Sequence, residues 1–330
     1  MEKKTVFSGM RPTGRLQLGN LTGALDSWIK LQDKYRCLFC VVDWHALTTA
    51  YEDPTQLKEN TYDMVINWLA AGLDPEKSII FRQSDVKEHA ELHLLLSMFT
   101  PLSWLERVPT YKDQLQQLKG KDLHTYGFLG YPLLMAADIL LYRAEAVPVG
   151  EDQIPHLEIT REIARRFNYL YRQQFFPEPE AILNKVKILP GIDGRKMSKS
   201  YGNTIDMSDH PDEIRKKVRK MVTDPGRIRK NDPGNPDVCT AFVFHGVFNT
   251  EEVANVEQVC RRGEIGCVQC KKQLAERIVS FLEPIYERRQ ALENKKDYIR
   301  AILTDGAKRA SALAAENMAK VRELMNLGQL

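Results

Sequence analysis

Thr5-Val-Phe-Ser-Gly-Met-Arg-Pro-Thr-Gly-Arg-Leu-Gln-Leu-Gly-Asn20 decides how this chain folds. A short apolar strand runs into a Gly- and Pro-rich turn, Ser8 to Gly14. After Asn20 the apolar residues Leu21, Ala24, Leu25 and Trp28 recur at helical spacing. A strand that feeds a helix through such a turn aims the helix N-terminus at whatever binds there. The free backbone N–H groups and the positive end of the helix favour an anion. Gly19 admits close approach to the backbone, while Gln17 and Asn20 bring neutral amides. Taken alone, the segment reads equally well as a strand–turn–helix with ordinary turn glycines.

Working outward, Cys37 to Val42, Ser78-Ile-Ile-Phe81 and Ala146-Val-Pro-Val149 read as further strands. They alternate with helical patterns up to about residue 190, as in an α/β domain with a mostly parallel sheet. Tyr131 to Tyr142 reads as a buried helix with Pro132 in its first turn and one charge, Asp138, in its middle. From about residue 203 helical patterns dominate, notably Lys271–Gln290 and Ala307–Leu327. The expected architecture is a Rossmann-type parallel-sheet catalytic domain over 1–192, followed by an all-helical domain over 193–330, with the junction near Gly191–Gly202.

Among 330 residues, 43% are hydrophobic and 28% charged, a globular balance. A net charge of +3, from 47 basic and 44 acidic residues, neither demands nor excludes nucleic acid, because local clustering decides that. No 18-residue apolar run occurs, so no membrane span is expected. The start, Met1-Glu-Lys-Lys-Thr-Val-Phe, lacks a signal-peptide apolar region, and a cytoplasmic protein is expected.

A second chemical segment is Gly191-Ile-Asp-Gly-Arg-Lys-Met-Ser-Lys-Ser-Tyr-Gly-Asn203. Two lysines three apart, among glycines and hydroxyl residues, suit a loop that closes on a polyphosphate. Each lysine there meets charge developing on the leaving group. The bland alternative is a solvated basic loop.

Lys196-Met-Ser-Lys-Ser200 matches the KMSKS signature of class I aminoacyl-tRNA synthetases. Gln17-Leu-Gly-Asn20 takes the place of their HIGH signature, departing from it at both histidine positions. Phe7 to Gly14, Asp43-Trp-His-Ala-Leu47, Tyr131 to Leu140 and Val147-Pro-Val-Gly-Glu-Asp-Gln153 follow in family order. Along nearly its whole length the chain resembles the bacterial tryptophanyl-tRNA synthetases. The resemblance implies activation of L-tryptophan by ATP with Mg²⁺, then transfer to tRNA(Trp) by a homodimer.

It also implies site residues. Catalysis falls to Lys196 and Lys199, with Gln17 and Asn20, and Lys112 assisting from a loop. ATP would contact Arg11, Pro12, Thr13, Gly19, Asn20, Gly150, Glu151, Asp152, Ile188, Leu189, Lys196, Met197, Ser198, Lys199 and Ser200. Asp152, beyond a strand at the sheet's carboxyl edge, suits a ribose hydroxyl, with a helix cap as the alternative. Phe7, Gly9, His45, Tyr131, Met135, Ile139, Val147, Val149 and Gln153 would line the amino-acid pocket around Asp138. A carboxylate among Leu134, Met135, Ala136, Ala137, Ile139 and Leu140 is costly to bury unpaired. An indole N–H, donor only, is a suitable partner. A nearby arginine or a helix cap is the alternative.

Cys239, Cys260, Cys267 and Cys270 are separated by 20, 6 and 2 residues. Four thiolates suit a [4Fe–4S] cluster or Zn²⁺, and unmetallated thiols remain open. The resemblance implies the cluster, which a subset of the bacterial family carries. Cys37 and Cys40 lie in a strand, three apart and on opposite faces, and read as core. Eight basic residues stand against three acidic between Pro211 and Asn231. That run suits a tRNA backbone or a solvated face. Lys308, Arg309, Lys320 and Arg322 form a second basic set. The rivals are a tyrosyl-tRNA synthetase, a shorter-chain type of nucleotidylyltransferase and a non-catalytic RNA-binding paralogue.

Overall fold

A computed structural model describes residues 3–117, 122–183, 189–198 and 201–328. The chain forms two compact units. One comprises Met1–Gly14, Ala24–Asn184 and Lys295–Leu330, the other Arg15–Gly23 and Lys185–Asn294.

The first unit is built on a sheet of β1 (Thr5–Met10), β2 (Arg36–Val41), β3 (Ser78–Arg82), β4 (Ala146–Val149) and β5 (Glu180–Leu183), in the order β3-β2-β1-β4-β5. Every neighbouring pair is parallel. Burial on both faces explains why β2 and β4 read as unbroken apolar runs rather than as alternation. The chain winds from β1 outward through β2 to β3, then returns to the other side of β1 as β4. That reversal makes the β1/β4 crevice the switch point where open α/β sheets bind ligands. The fifth strand was not expected. Glu180–Leu183 is a half-exposed edge strand, and pairing with β4, more than its own pattern, makes it a strand.

The final helix, Lys296–Leu324, belongs to this first unit and not with residues 193–294, which corrects the expected 193–330 grouping. Its buried stripe includes Ile299, Ile302, Gly306, Ala310, Ala314 and Met318. At Gly306 the helix lies against β3 so closely that a Cβ would stand 1.8 Å from the Ile80 carbonyl oxygen. Arg322 adds a bidentate pair to Glu91, at 2.7 and 2.6 Å.

In the second unit, helix Pro211–Arg219 packs on helix Cys267–Glu293. Ile214 and Val218 are buried, and Arg215 is bidentate to Glu276 at 2.9 Å for both bonds. Residues 15–23 belong here because they pair with the strand-like segment after the lysine loop. Leu18 N–H donates to Ile205 O at 2.9 Å and Met207 N–H to Leu16 O at 2.8 Å. Among the described residues no helix is long and apolar enough to cross a membrane.

Candidate active site

Helix Tyr131–Leu141 is buried along most of its length, and Asp138 within it is 2% exposed. Three side chains from the carboxyl ends of β2 and β3 converge on its carboxylate. His45, on helix Asp43–Ala50, places Nε2 3.0 Å from Oδ2. His89, in the first turn of helix Glu88–Ser97, places Nδ1 2.7 Å from Oδ1. Gln83, in the single turn Gln83–Asp85 after β3, donates Nε2 to both oxygens, at 2.7 and 2.9 Å. Burial opposes ionisation of Asp138, but His89 and His45 outweigh it and hold the carboxyl at about 2. Among the described residues neither the arginine nor the cap considered as its alternative partner reaches it: two histidines and a glutamine amide hold it. His89 and Gln83 were not singled out from the sequence, because a glutamine at a strand end carries no local signal.

His89 is held from its other side as well, with Nε2 2.8 Å from the Tyr142 hydroxyl. The Tyr142 ring stacks on Phe7 at 5.7 Å and 13°. Phe7, Ile139, Val147 and Val149 are buried, and Gly9 is exposed near the end of β1. Tyr131, Met135, Asp138 and Ile139 fall at i, i+4, i+7 and i+8 and share one helix face. The half-buried Tyr131 hydroxyl lies 2.8 Å from Thr110 Oγ1 and 2.9 Å from His156 Nε2. Thr110 and His156 are themselves 2.9 Å apart. Neither was expected. Burial lowers His156 to about 4, so the imidazole is neutral near pH 7.

Beyond β4, Gly150 leads into the turn Glu151–Gln153. Asp152 is exposed and accepts from Gln153 Nε2 at 2.8 Å. It is not the cap of helix Ile154–Leu170, because Gln153 occupies that position. After β1, Arg11 and Thr13 are exposed and Pro12 is buried. Lys112 stands exposed on helix Pro109–Gln117 rather than in a loop.

The second unit carries both signature segments. Asn20 Oδ1 accepts the Gln17 N–H at 3.0 Å and Asn20 N–H donates to Gln17 O at 2.8 Å, closing the turn around Gly19. In the lysine loop, Asn203 is 2% exposed and does most of the holding. Its Nδ2 donates to Asp193 Oδ1 at 2.8 Å and to Lys196 O at 3.1 Å, while its Oδ1 accepts Ser198 N–H at 2.8 Å. A Cβ at Gly191 would stand 2.1 Å from Asn203 Nδ2, so only glycine leaves that amide in place. Leu189 and Met197 are buried, Ser198 is half-buried, and Lys196 is exposed. Ile188, Lys199 and Ser200 lie outside the described residues.

Cys239, Cys260, Cys267 and Cys270 come close enough together to influence one another. Burial first, then the neighbouring Cys239, Cys260 and Cys267, push Cys270 up to about 12. Arg227 Nη1 lies 3.8 Å from both Cys260 Sγ and Cys267 Sγ, and its Nη2 donates to Lys230 O and Ile265 O at 2.6 Å each. His245 Nε2 is 3.3 Å from Cys270 Sγ. As these side chains stand, no three His, Cys, Asp or Glu residues among those described are set to hold a metal ion. Cys37 and Cys40 are free and buried.

Several members of the basic run already face carboxylates. Lys216 pairs with Glu213 at 2.6 Å and Lys217 with Asp209 at 2.6 Å, in addition to the Arg215–Glu276 fork. In the C-terminal set, Arg309 donates to Pro75 O at 3.1 Å and Lys320 pairs with Glu323 at 2.8 Å.

Comparisons with known proteins agree with this geometry. Residues 1–283 match the family described as tRNA synthetases class I (W and Y). The tryptophan–tRNA ligase of Thermotoga maritima is 53% identical, with 98% of this chain and 99% of that protein aligned. That of Aquifex aeolicus is 44% identical over 98% of this chain and 99% of its own length. Among solved structures, the tryptophanyl-tRNA synthetase of Campylobacter jejuni complexed with ADP and tryptophan superposes with a TM-score of 0.88 at 36% identity, covering 98% of this chain and 100% of that one. The chain belongs to the tryptophanyl-tRNA synthetases, within the class I family of tryptophan and tyrosine enzymes.

Proposed function

We propose that the two sets of side chains divide the tryptophan–tRNA ligase reaction between them. The chain activates L-tryptophan with ATP, releasing pyrophosphate, and transfers the amino acid to tRNA(Trp). A carboxylate attacks the α-phosphorus, and at pH 7 it is already ionised. No general base is needed, and catalysis rests on positioning and on charge stabilisation. Lys196 and Lys199 neutralise the leaving pyrophosphate, while the turn of Gln17, Gly19 and Asn20 receives phosphate oxygens. Asp152 accepts a ribose hydroxyl, and Arg11, Pro12, Thr13, Gly150, Glu151, Ile188, Leu189, Met197, Ser198 and Ser200 complete the nucleotide contacts. Mg²⁺ bound to the phosphates shields their charge.

The observation that carries the substrate reading is the ionised, buried Asp138, held by His45, Gln83 and His89. Indole brings one N–H donor and no acceptor, and so matches a slot with a single anionic acceptor. Gly9, His45, Tyr131, Met135, Val149 and Gln153 line the rest of the pocket. The test is ATP–pyrophosphate exchange with tryptophan and tyrosine side by side. Exchange with tryptophan alone is expected. Exchange with tyrosine alone would move the chain to the tyrosyl enzymes and overturn the role given to Asp138.

The four cysteines are proposed to hold a [4Fe–4S] cluster, which supplies an electron-accepting iron–sulfur centre when bound. Four thiolates are the donor set that such a cluster takes, and the Arg227 guanidinium faces two of the thiols. As they stand these side chains are not set to hold a metal, so loading requires them to draw together. Iron content and visible absorption of anaerobically purified protein test this. Zinc in place of iron would keep the site and change the group. A cytoplasmic homodimer completes the proposal, with sedimentation as its check.

A further inference from the structure

An ionised carboxylate offers about four lone-pair positions, and around Asp138 they are all taken. His89 Nδ1 and Gln83 Nε2 share Oδ1, and His45 Nε2 and Gln83 Nε2 share Oδ2. An arriving N–H therefore finds an acceptor only if one donor yields. The donors are not equivalent. His89 is fully buried and held at its other nitrogen by Tyr142. His45 spends one nitrogen on one oxygen. Gln83 alone straddles both oxygens, so it can release one and keep the other. Its amide orientation is fixed by its partners, since Oε1 accepts the Trp44 N–H at 3.1 Å and Nε2 must then face Asp138. Trp44 N–H also reaches Asp43 Oδ1 at 3.1 Å, so that backbone group does not depend on Gln83 alone.

We infer that Gln83 is a specificity-setting positioning residue: it moves from two Asp138 oxygens to one as tryptophan arrives, opening one acceptor position for one N–H. The inference rests on the reading of Asp138 as the indole partner. An indole nitrogen donates once and needs no donor of its own, whereas a phenol oxygen that donates into the opened position still has to be met by a second donor.

The test compares tryptophan with β-(3-benzothienyl)alanine, which keeps the shape and replaces the N–H by sulfur. With this analogue in the wild-type pocket, Gln83 keeps both oxygens and little is lost. In Gln83→Met the carboxylate retains its two histidines and has open positions, which tryptophan fills in part and the analogue leaves empty. The tryptophan-to-analogue ratio of kcat/KM in pyrophosphate exchange is expected to rise about tenfold in Q83M, the size of one hydrogen bond to a charged group. The loss should fall on the KM for the amino acid and spare kcat and the KM for ATP. A residue that merely supports the fold weakens both substrates alike, and an unchanged ratio overturns the inference. Wild-type structures with each ligand provide a check that needs no variant. Gln83 is expected on one oxygen with tryptophan and on both with the analogue. Gln83 still on both oxygens beside a bound indole N–H also overturns it. If the wild-type enzyme uses both substrates equally and the indole N–H lies away from Asp138, the reading of Asp138 itself fails, and the inference with it.

Discussion

The polar atoms of Asp138, Gln83 and His89 are satisfied from within the protein, by groups arriving from separate segments. Around Lys196 it is the backbone that is satisfied, by Asn203, while the charged side chain is left in solvent. The difference follows from what each group must meet. A neutral indole is told apart by a fixed count of donors and acceptors in a dry pocket, where an unmatched polar atom costs ~1–3 kcal/mol. A leaving polyphosphate is met by charge, which acts over a longer reach and tolerates a mobile side chain provided that the loop beneath it is held.

The sharpest way to break this contrast is Asp138→Ala. It leaves His45, His89 and Gln83 without their shared acceptor in the core, and a loss of ~3–5 kcal/mol in stability is expected. Tryptophan-dependent exchange should fall by about 100-fold or more. Chemical denaturation and exchange kinetics together measure both, and a stable variant that still selects tryptophan would refute the donor-count account. Lys196→Ala tests the other side. It should lower kcat by about 100-fold while leaving the KM for tryptophan and the unfolding midpoint where they were. Asn203→Ala should cost less rate than either, with a stability loss between theirs. Releasing the backbone at Lys196 and Ser198 is expected to reduce kcat by about tenfold and to cost ~1–3 kcal/mol, without altering the choice between tryptophan and tyrosine.

The narrowest effect, confined to one pH window, concerns His156, beside Tyr131. Its imidazole titrates at about 4 in the folded chain, because burial disfavours the cation, against an ordinary 6.5. Protons therefore bind the unfolded chain first. The stability this group contributes is whole above pH 6.5 and drains as pH falls towards 4, by at most about 3 kcal/mol. His156→Gln should flatten the stability–pH curve in that window alone, as read by thermal unfolding at stepped pH. A slope that is unchanged would mean that another group carries it.

Much of the sheet could be read from the chain because β1, β2, β3 and β4 are buried runs, and a run buried on both faces needs no partner to be recognised. β5 could not, since it is an edge strand held by β4. The buried helix around Asp138 was legible from one charge in an apolar stretch, yet of its partners only His45 was named, and that by resemblance. His45 lies 93 residues away in sequence, Gln83 55 and His89 49, and no local pattern links such positions. Asn203 shows the same limit at shorter range. It sits inside the quoted loop, but only the folded turn reveals that its amide, and the glycine at 191 that leaves room for it, hold the lysine segment.

The sequence by itself determined which chemistry is present: the lysine loop, the turn before the first helix, the lone buried carboxylate, the four thiols and the family that joins them. These are properties of neighbouring residues, and short-range order fixes them. Tertiary structure alone decided how many donors the carboxylate already has, that residues 15–23 fold with the unit carrying the lysine loop, and that the last helix closes on the sheet. Each of these depends on atoms brought together from distant positions, where burial and hydrogen-bond counting act on the folded whole.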